Sequence, residues 1–511
     1  MNQQFLTDQE YYGELIEGFV DSSFTGFQHF EGAEDYLLTG INTIEARKYQ
    51  PGSADFEEQL ALGKTTSILD RGALLTDESS FNHIDANYNF RDIIRFAGIQ
   101  IGGSYRNYRL NSGGEIYSDA DDKISIEEVG VYAQIQKKLF DDHLKLSFTT
   151  RYDKSNNFAY KLSPRASIAY AIGDNKNHNI RFSFQTGFRN PTTQDQYANM
   201  NLGDRRIVGT VRDNLERVND LFFPNSPSGA QIIPEGVVIG EDEIFDNSYT
   251  AKSVKEYREV AFNDVLAGES LQDVIFNNKD LLVVAELDYV KPETVESFEL
   301  GYRGAFNISD NLFEVDIAGF YNIYENFLTH KSVVVPYYGD VDLPISANDL
   351  PGQAVLYSDS EEYILRTNTS AVINSYGLNV GFTTEIFGEF TLGANYAFSK
   401  FEDDGTDIDF TPEYNTPENV VKISFGHDKL FTNFGFRVDA RWQDEYLYQS
   451  VFIQDVIDAR TVIDAQINYS IPKFKSNFKL GATNIGGKAY TSVAGAGTIG
   501  SQYYLNWTIN N

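Results

Sequence analysis

The sequence predicts an all-β fold, a transmembrane antiparallel β-barrel with long extracellular loops, on three observations. Hydrophobic residues are 41% of the 511 and are thinly spread; nowhere is there the run of roughly eighteen apolar residues that a spanning helix needs. Aromatics reach 14%, with 38 Phe and 32 Tyr, and such side chains favour strands. Segments of about ten residues, long enough to cross a bilayer as tilted strands, alternate between apolar and polar side chains, and the connections between them alternate between tight and long. A barrel threaded through an outer membrane has short turns on one side and long loops on the other.

Residues 180–197, IRFSFQTGFRNPTTQDQY, show the pattern best. Phe182, Phe184 and Phe188 fall on one face, and Arg181, Ser183, Gln185 and Arg189 on the other, because successive strand side chains point to opposite sides. Asn190-Pro191 ends the ladder, since Pro lacks the N–H and restrains its predecessor. About a hundred residues without sustained alternation follow.

Taken in order, residues 1–82 form a poorly defined upstream strand and loop region, with one strand expected over 37–46. Ser53 has the character of an N-cap for a short helix closed by Gly63. From His83 to the C-terminus hairpins follow one another. Residues 85–90 pair with 94–110, and 127–139 with 143–153 across Asp141-Asp142. In the latter strand Leu144, Leu146, Phe148 and Tyr152 oppose Lys145, Ser147, Thr149 and Arg151. Further turns are expected at Gly173-Asp174-Asn175, 307–310, Gly388-Glu389, His427-Asp428-Lys429 and 472–475. Phe434, Phe436, Val438, Ala440 and Trp442 oppose Arg437, Asp439, Arg441 and Gln443. The count is about fifteen strands. The long connections are 111–125, 154–160, 191–293, 328–364, 402–419, 447–459 and 486–500. Within 191–293, Ser253 and Glu256 fit a capping box for a helix whose Val254, Tyr257, Ala261 and Val265 share a face and which Gly268 stops.

A soluble β-sandwich also alternates, but strand length, loop asymmetry and apolar faces ending in aromatics such as Trp442 and Tyr446 favour the membrane. The formal charge of −33 opposes nucleic-acid binding, which needs cations to neutralise phosphate. With no Cys there is no disulfide framework. None of His29, His83, His143, His178, His330 and His427 has the spacing of a helical metal pair, and neither a nucleophile elbow nor a phosphate-binding loop occurs. The expected protein is not an enzyme and uses no cofactor or metal. Acidic clusters at Asp119, Asp121 and Asp122, at Glu241, Asp242 and Glu243, and at Asp403, Asp404, Asp407 and Asp409 fit no calcium-binding hand and read as solvated loop charge.

Several stretches resemble one family, the TonB-dependent outer-membrane receptors, particularly the Bacteroidetes type. They are Val131-Tyr132-Ala133-Gln134 followed by Leu144-Lys145-Leu146 and Arg151-Tyr152-Asp153; Thr186-Gly187-Phe188-Arg189-Asn190-Pro191; Val290-Lys291-Pro292-Glu293 with Ser297-Phe298-Glu299-Leu300-Gly301-Tyr302; and Lys479-Leu480-Gly481-Ala482-Thr483-Asn484. The resemblance implies a barrel of about 22 strands, a plug domain in its lumen and a segment gripped by the TonB complex. The first residues, MNQQFLTDQE, show no export signal. The chain therefore reads as the C-terminal barrel portion, residues 83–511, lacking signal, TonB segment and plug, with about 15 of the implied strands. The implied function is energy-coupled uptake of a nutrient across the outer membrane, with membrane lipid, the plug, TonB and a surface lipoprotein as candidate partners. Arg189, Asn190, Gln194 and Tyr197 are placed where an arriving substrate touches the wall. By the same analogy Arg181, Gln185, Glu299, Arg303, Arg437, Asp439 and Arg441 face the lumen or plug. The alternative is a non-transporting barrel or adhesin whose loops bind a surface partner.

Overall fold

The computed structural model describes residues 51–67, 72–203, 205–308, 311–342, 350–407 and 410–509; the strand expected over 37–46 lies outside them. Alternation builds a sheet of fifteen strands arranged in chain order. They are β1 (Ser80–Asn89), β2 (Gly98–Leu110), β3 (Ile124–Leu139), β4 (Leu144–Ser155), β5 (Lys161–Ile172), β6 (His178–Arg189), β7 (Glu293–Ile308) and β8 (Asn311–Glu325). The series continues with β9 (Ile373–Ile386), β10 (Phe390–Asp403), β11 (Asn419–Phe431), β12 (Phe434–Gln443), β13 (Arg460–Ile471), β14 (Ser476–Thr483) and β15 (Gln502–Ile509). From β3 onward each pairs antiparallel with the next. β1 and β15 are the ends of this order, every residue in them is exposed, and among the described residues no pairing joins them.

The register sets the faces. Phe182 lies opposite Leu300 and Phe184 opposite Phe298, so apolar side chains of neighbouring strands form one continuous surface. It is not a dry interior: Phe182 is 43% exposed, Leu300 61% and Leu480 52%. An apolar surface this extensive, left uncovered by protein, suits contact with lipid.

Tight turns fall where the sequence puts them, with left-handed backbone at Phe140, Asp141 and Asp142 and at Phe387, Gly388 and Glu389. One turn is displaced. Residues 427–429 stay within β11, whose pairing with β12 shifts between His427 and Phe431, and the chain reverses at Thr432-Asn433 with Asn433 at φ 69.

The larger correction concerns 191–293, read above as a long polar loop. Its described residues fold together with 327–342 and 350–372 into a cap with its own core. Strand Arg206–Gly209 pairs parallel with part of Ser360–Asn368, which pairs antiparallel with Leu328–Pro336. Val208, Leu215, Ile239, Ile244, Val335, Tyr363 and Leu365 are buried between them. Helix Ala251–Leu266 is buried through Val254, Tyr257 and Ala261, as its periodicity predicts, but its N-cap is Thr250, which accepts from Ser253 N at 3.3 Å. Ser253 instead donates to Thr250 O and accepts from Val283 N.

Among the described residues, 51–67 and 72–80 with 109–124 form a separate unit. In it Ser53 caps helix Ala54–Thr65, which runs through Gly63. Asp119, one of the acidic loop residues, is 5% exposed and accepts from Ser112 Oγ at 2.8 Å and Gly114 N at 2.7 Å, so it holds its own loop rather than solvent.

Candidate ligand-binding cleft

The polar face of the sheet carries the candidate residues in three places. On β6, β7 and β8, Arg181 Nε meets Glu299 Oε1 at 3.1 Å, and its two terminal nitrogens lie 3.2 Å from Asp316 Oδ1. Arg303 stands directly opposite Asp316, and Gln185 opposite Ser297 and Arg165, on the same face. On β12, Arg437 Nε holds both oxygens of Asp439 at 2.9 and 3.0 Å. Arg441 lies opposite Lys422, and these residues line a cavity of about 570 Å³ with Ser424 and Asp464. The seven residues assigned to the lumen thus divide into two clusters.

The third place is a cleft of about 700 Å³ at the long-loop ends of β2 to β6, beside the turn that begins at Pro191. Arg189 and Asn190 line it. Arg189 reaches Glu293 Oε2 at 2.9 Å, and the same oxygen accepts from Leu328 N at 3.2 Å, tying the strand end to the cap. Asn190 Nδ2 donates to Glu128 Oε1 at 2.7 Å, while the other oxygen of Glu128 lies 3.6 Å from Arg106.

Two of the four substrate assignments are relocated. Gln194 is exposed and lies outside the cleft lining. Tyr197 is 2% exposed, its hydroxyl accepting from Asn157 Nδ2 at 3.1 Å. Burial, with Asp213 nearby, pushes this phenol up to about 12, so it stays neutral and packs the cap. The reason is local: Thr192 starts a short helix through a reciprocal pair with Asp195, and that turn rolls Tyr197 inward and Gln194 outward. Gln196, two residues beyond Gln194, does belong to the lining. It lines the cleft at 3% exposure, donates to Pro191 O and accepts from Asn157 Nδ2, both at 2.7 Å.

The lining also includes Arg106, Arg151, Asp153, Lys154 and Lys161, to which the sequence reading gives no role. A signal for two existed in the Arg-x-Asp spacing: Arg151 Nε holds Asp153 at 2.9 and 2.8 Å, as Arg437 holds Asp439. Two residues apart on a strand is the same face, so the motif marks a fixed cation. Arginines, lysines, the carboxylates of Glu128 and Asp153, amides and hydroxyls line an open recess, which suits recognition of a polar solute.

The model of the family described as TonB dependent receptor-like, beta-barrel, matches residues 7–485. No curated protein matches the chain. Among solved structures, the siderophore receptor PirA from Acinetobacter baumannii aligns at 11% identity with a TM-score of 0.51, covering 84% of this chain and 54% of that one. The FrpB iron transporter from Neisseria meningitidis aligns at 13% identity and TM-score 0.50, covering 84% and 54%. A variant of the ferric enterobactin receptor PfeA from Pseudomonas aeruginosa aligns at 9% and 0.50, covering 84% and 53%. The likeness is one of fold, and the chain spans about half the length of the structures it matches.

Proposed function

Because the chain belongs to the TonB dependent receptor-like β-barrel family and so resides in the bacterial outer membrane, we propose that it forms the wall and outer cap of a receptor for energy-coupled nutrient uptake. The observation that carries this reading is the sidedness of one sheet. Its apolar surface is exposed as lipid contact requires, while its other face gathers charged and amide side chains into a cleft beside the cap. In this reading a plug domain and a TonB-contacting segment complete the transporter, the arginine clusters of β6 and β12 face that plug, and the receptor is of the Bacteroidetes type, a reading the quoted motifs support. Arg189, Asn190 and Gln196 contact the arriving solute.

Deletion of the gene in its host tests this. Growth on one scarce nutrient is expected to fail, to return with the intact gene, and to fail again when TonB is removed. Growth that survives both deletions across iron, glycan, peptide and vitamin limitation would refute uptake. A second reading, a surface-binding barrel without transport, draws support from the folded cap, whose helix Ala251–Leu266 leaves Phe262 64% and Leu266 68% exposed. It requires surface attachment to be lost on deletion while growth is unaffected.

A further inference from the structure

Unpaired charges of both signs share one cavity on the polar face of the sheet, the one of about 570 Å³ against β11, β12 and β13. Lys422 of β11 lies directly opposite Arg441 of β12, and like charges so placed repel. Among the described residues the lining contains one ion pair, Arg437 with Asp439, which leaves Lys422 and Arg441 without a carboxylate. The fifth charged residue of the lining, Asp464, stands directly opposite Asp439 on β13. It accepts from Asn484 N at 2.9 Å and meets no cation at ion-pair distance among the described residues. Arg441 is two residues from the long-loop end of β12, and Lys422 three from that of β11. The unpaired cations therefore stand nearer the long loops than the spent Arg437 does.

We infer that this cavity takes a small zwitterion, its carboxylate held between Lys422 and Arg441 and its ammonium on Asp464. The register sets the spacing. Arg441 lies opposite Val462, so Asp464 is two residues farther along β13, about 7 Å in the strand direction. An extended dipeptide spans about 7 Å as well. The guanidinium offers a planar fork that matches a carboxylate, and the lysine beside it a mobile point charge. A simple anion would relieve the two cations but bring a second negative charge towards Asp464, and a simple cation would do the reverse. A solute carrying both signs relieves both. The cavity volume falls within the roughly 300–1,000 Å³ of small-molecule sites. As the identity of an imported solute this rests on the uptake reading; as a binding site it does not.

The probe is glycylglycine, titrated calorimetrically into the protein in detergent micelles. One saturable site is expected, weakened tenfold or more when the dipeptide is N-acetylated or its carboxylate is amidated. Lys422→Gln with Arg441→Gln should weaken glycylglycine tenfold or more and erase its advantage over the amide. Asp464→Asn, which keeps the acceptor for Asn484 N, should erase only the advantage over the N-acetyl form. Lys473→Gln, a charge removal in a tight turn, should leave the isotherm as it was. Heat-modifiable migration verifies that each variant is folded. Absence of a saturable site in the unaltered protein overturns the assignment. So does equal binding of either blocked dipeptide, or an isotherm unmoved by the substitutions. None of these results bears on uptake, whose own failure shows in the growth experiment.

Discussion

Arg181 reaches Asp316 by lying across Gly301, the residue opposite it on the intervening strand. A Cβ at Gly301 would come within 2.6 Å of the Arg181 Cζ, so the bare backbone is the slot through which the guanidinium crosses to the next strand. The ion pair is only half-buried, with Arg181 35% and Asp316 44% exposed. Pairs that wet contribute about 0–1 kcal/mol. Gly301→Val is therefore expected to push Arg181 off Asp316 while shifting the temperature of heat-modifiable migration no more than Asp316→Asn does. A large loss from Gly301→Val alone would mean the strand itself needs glycine there.

The ion pair between Arg366 and Asp195 should behave differently. It spans 2.8 Å with Asp195 only 7% and Arg366 24% exposed, and the same carboxylate caps the Thr192 helix through Thr192 N and Oγ1 at 2.9 and 2.8 Å. Removing one partner of a buried pair costs about 3–5 kcal/mol because the other charge is stranded. Asp195→Ala is expected to expose 191–197 to protease in the folded barrel, where Asp316→Asn leaves it resistant.

Charge on the two faces of one strand should separate lipid from lumen. Leu300 and Glu299 are neighbours on β7 with opposite outlooks. Arginine on a lipid-facing strand position costs about 2–4 kcal/mol at the bilayer midplane, while lumen positions tolerate charge. Leu300→Arg should lower the yield of folded barrel in vesicles severalfold, and Ser183→Arg, opposite Glu299, should leave it unchanged. Equal yields would place the apolar stripe somewhere other than in lipid.

How far the sequence could be read follows from element length. Strands such as β4 and β6 are twelve residues each, long enough for a period of two to stand out, and their registers were legible. Several strands of the cap have only three or four residues, Arg206–Gly209 and Val237–Ile239 among them, too short to show a period. Its core residue Tyr363 pairs with Arg206 from far along the chain, and no local pattern encodes that. Arg189 and Asn190 stand at the cleft because a strand end with a Pro stop is a local feature of the sequence. Tyr197 was misplaced because a single helical turn after Thr192 decides which side chain points inward, and one turn leaves no periodicity.

Asp359 is the cap's most heavily used carboxylate. Fully buried, it accepts from Asn225 N at 2.6 Å, Ser226 N at 2.9 Å and Tyr338 Oη at 3.0 Å, as well as from the Ser226 hydroxyl. These join two insertions more than a hundred residues apart in sequence. Hydrogen bonds to a charged acceptor contribute about 1.5–3 kcal/mol each, and stranded donors add to the loss. Asp359→Ala is expected to leave the barrel intact by heat-modifiable migration while making residues 220–240 a rapid protease target. Resistance equal to that of the unaltered protein would mean the cap is held by its apolar core alone.

Alkali should open the cap through its tyrosines. Burial pushes Tyr197, and burial with the Glu241 carboxylate pushes Tyr289, up to about 12, and burial likewise raises Tyr337, Tyr338 and Tyr363. A phenol near 10 in the unfolded chain but higher when folded binds its proton more tightly in the native state. Its contribution to stability is then whole below about pH 10 and is lost as pH rises through the folded value. Tyrosinate absorbance should accordingly rise in two stages. The cap tyrosines supply the later stage, ionising together with cap unfolding between about pH 10 and 12. A single stage near the ordinary value, with the cap still protease-resistant, would show that these rings are not held neutral by burial.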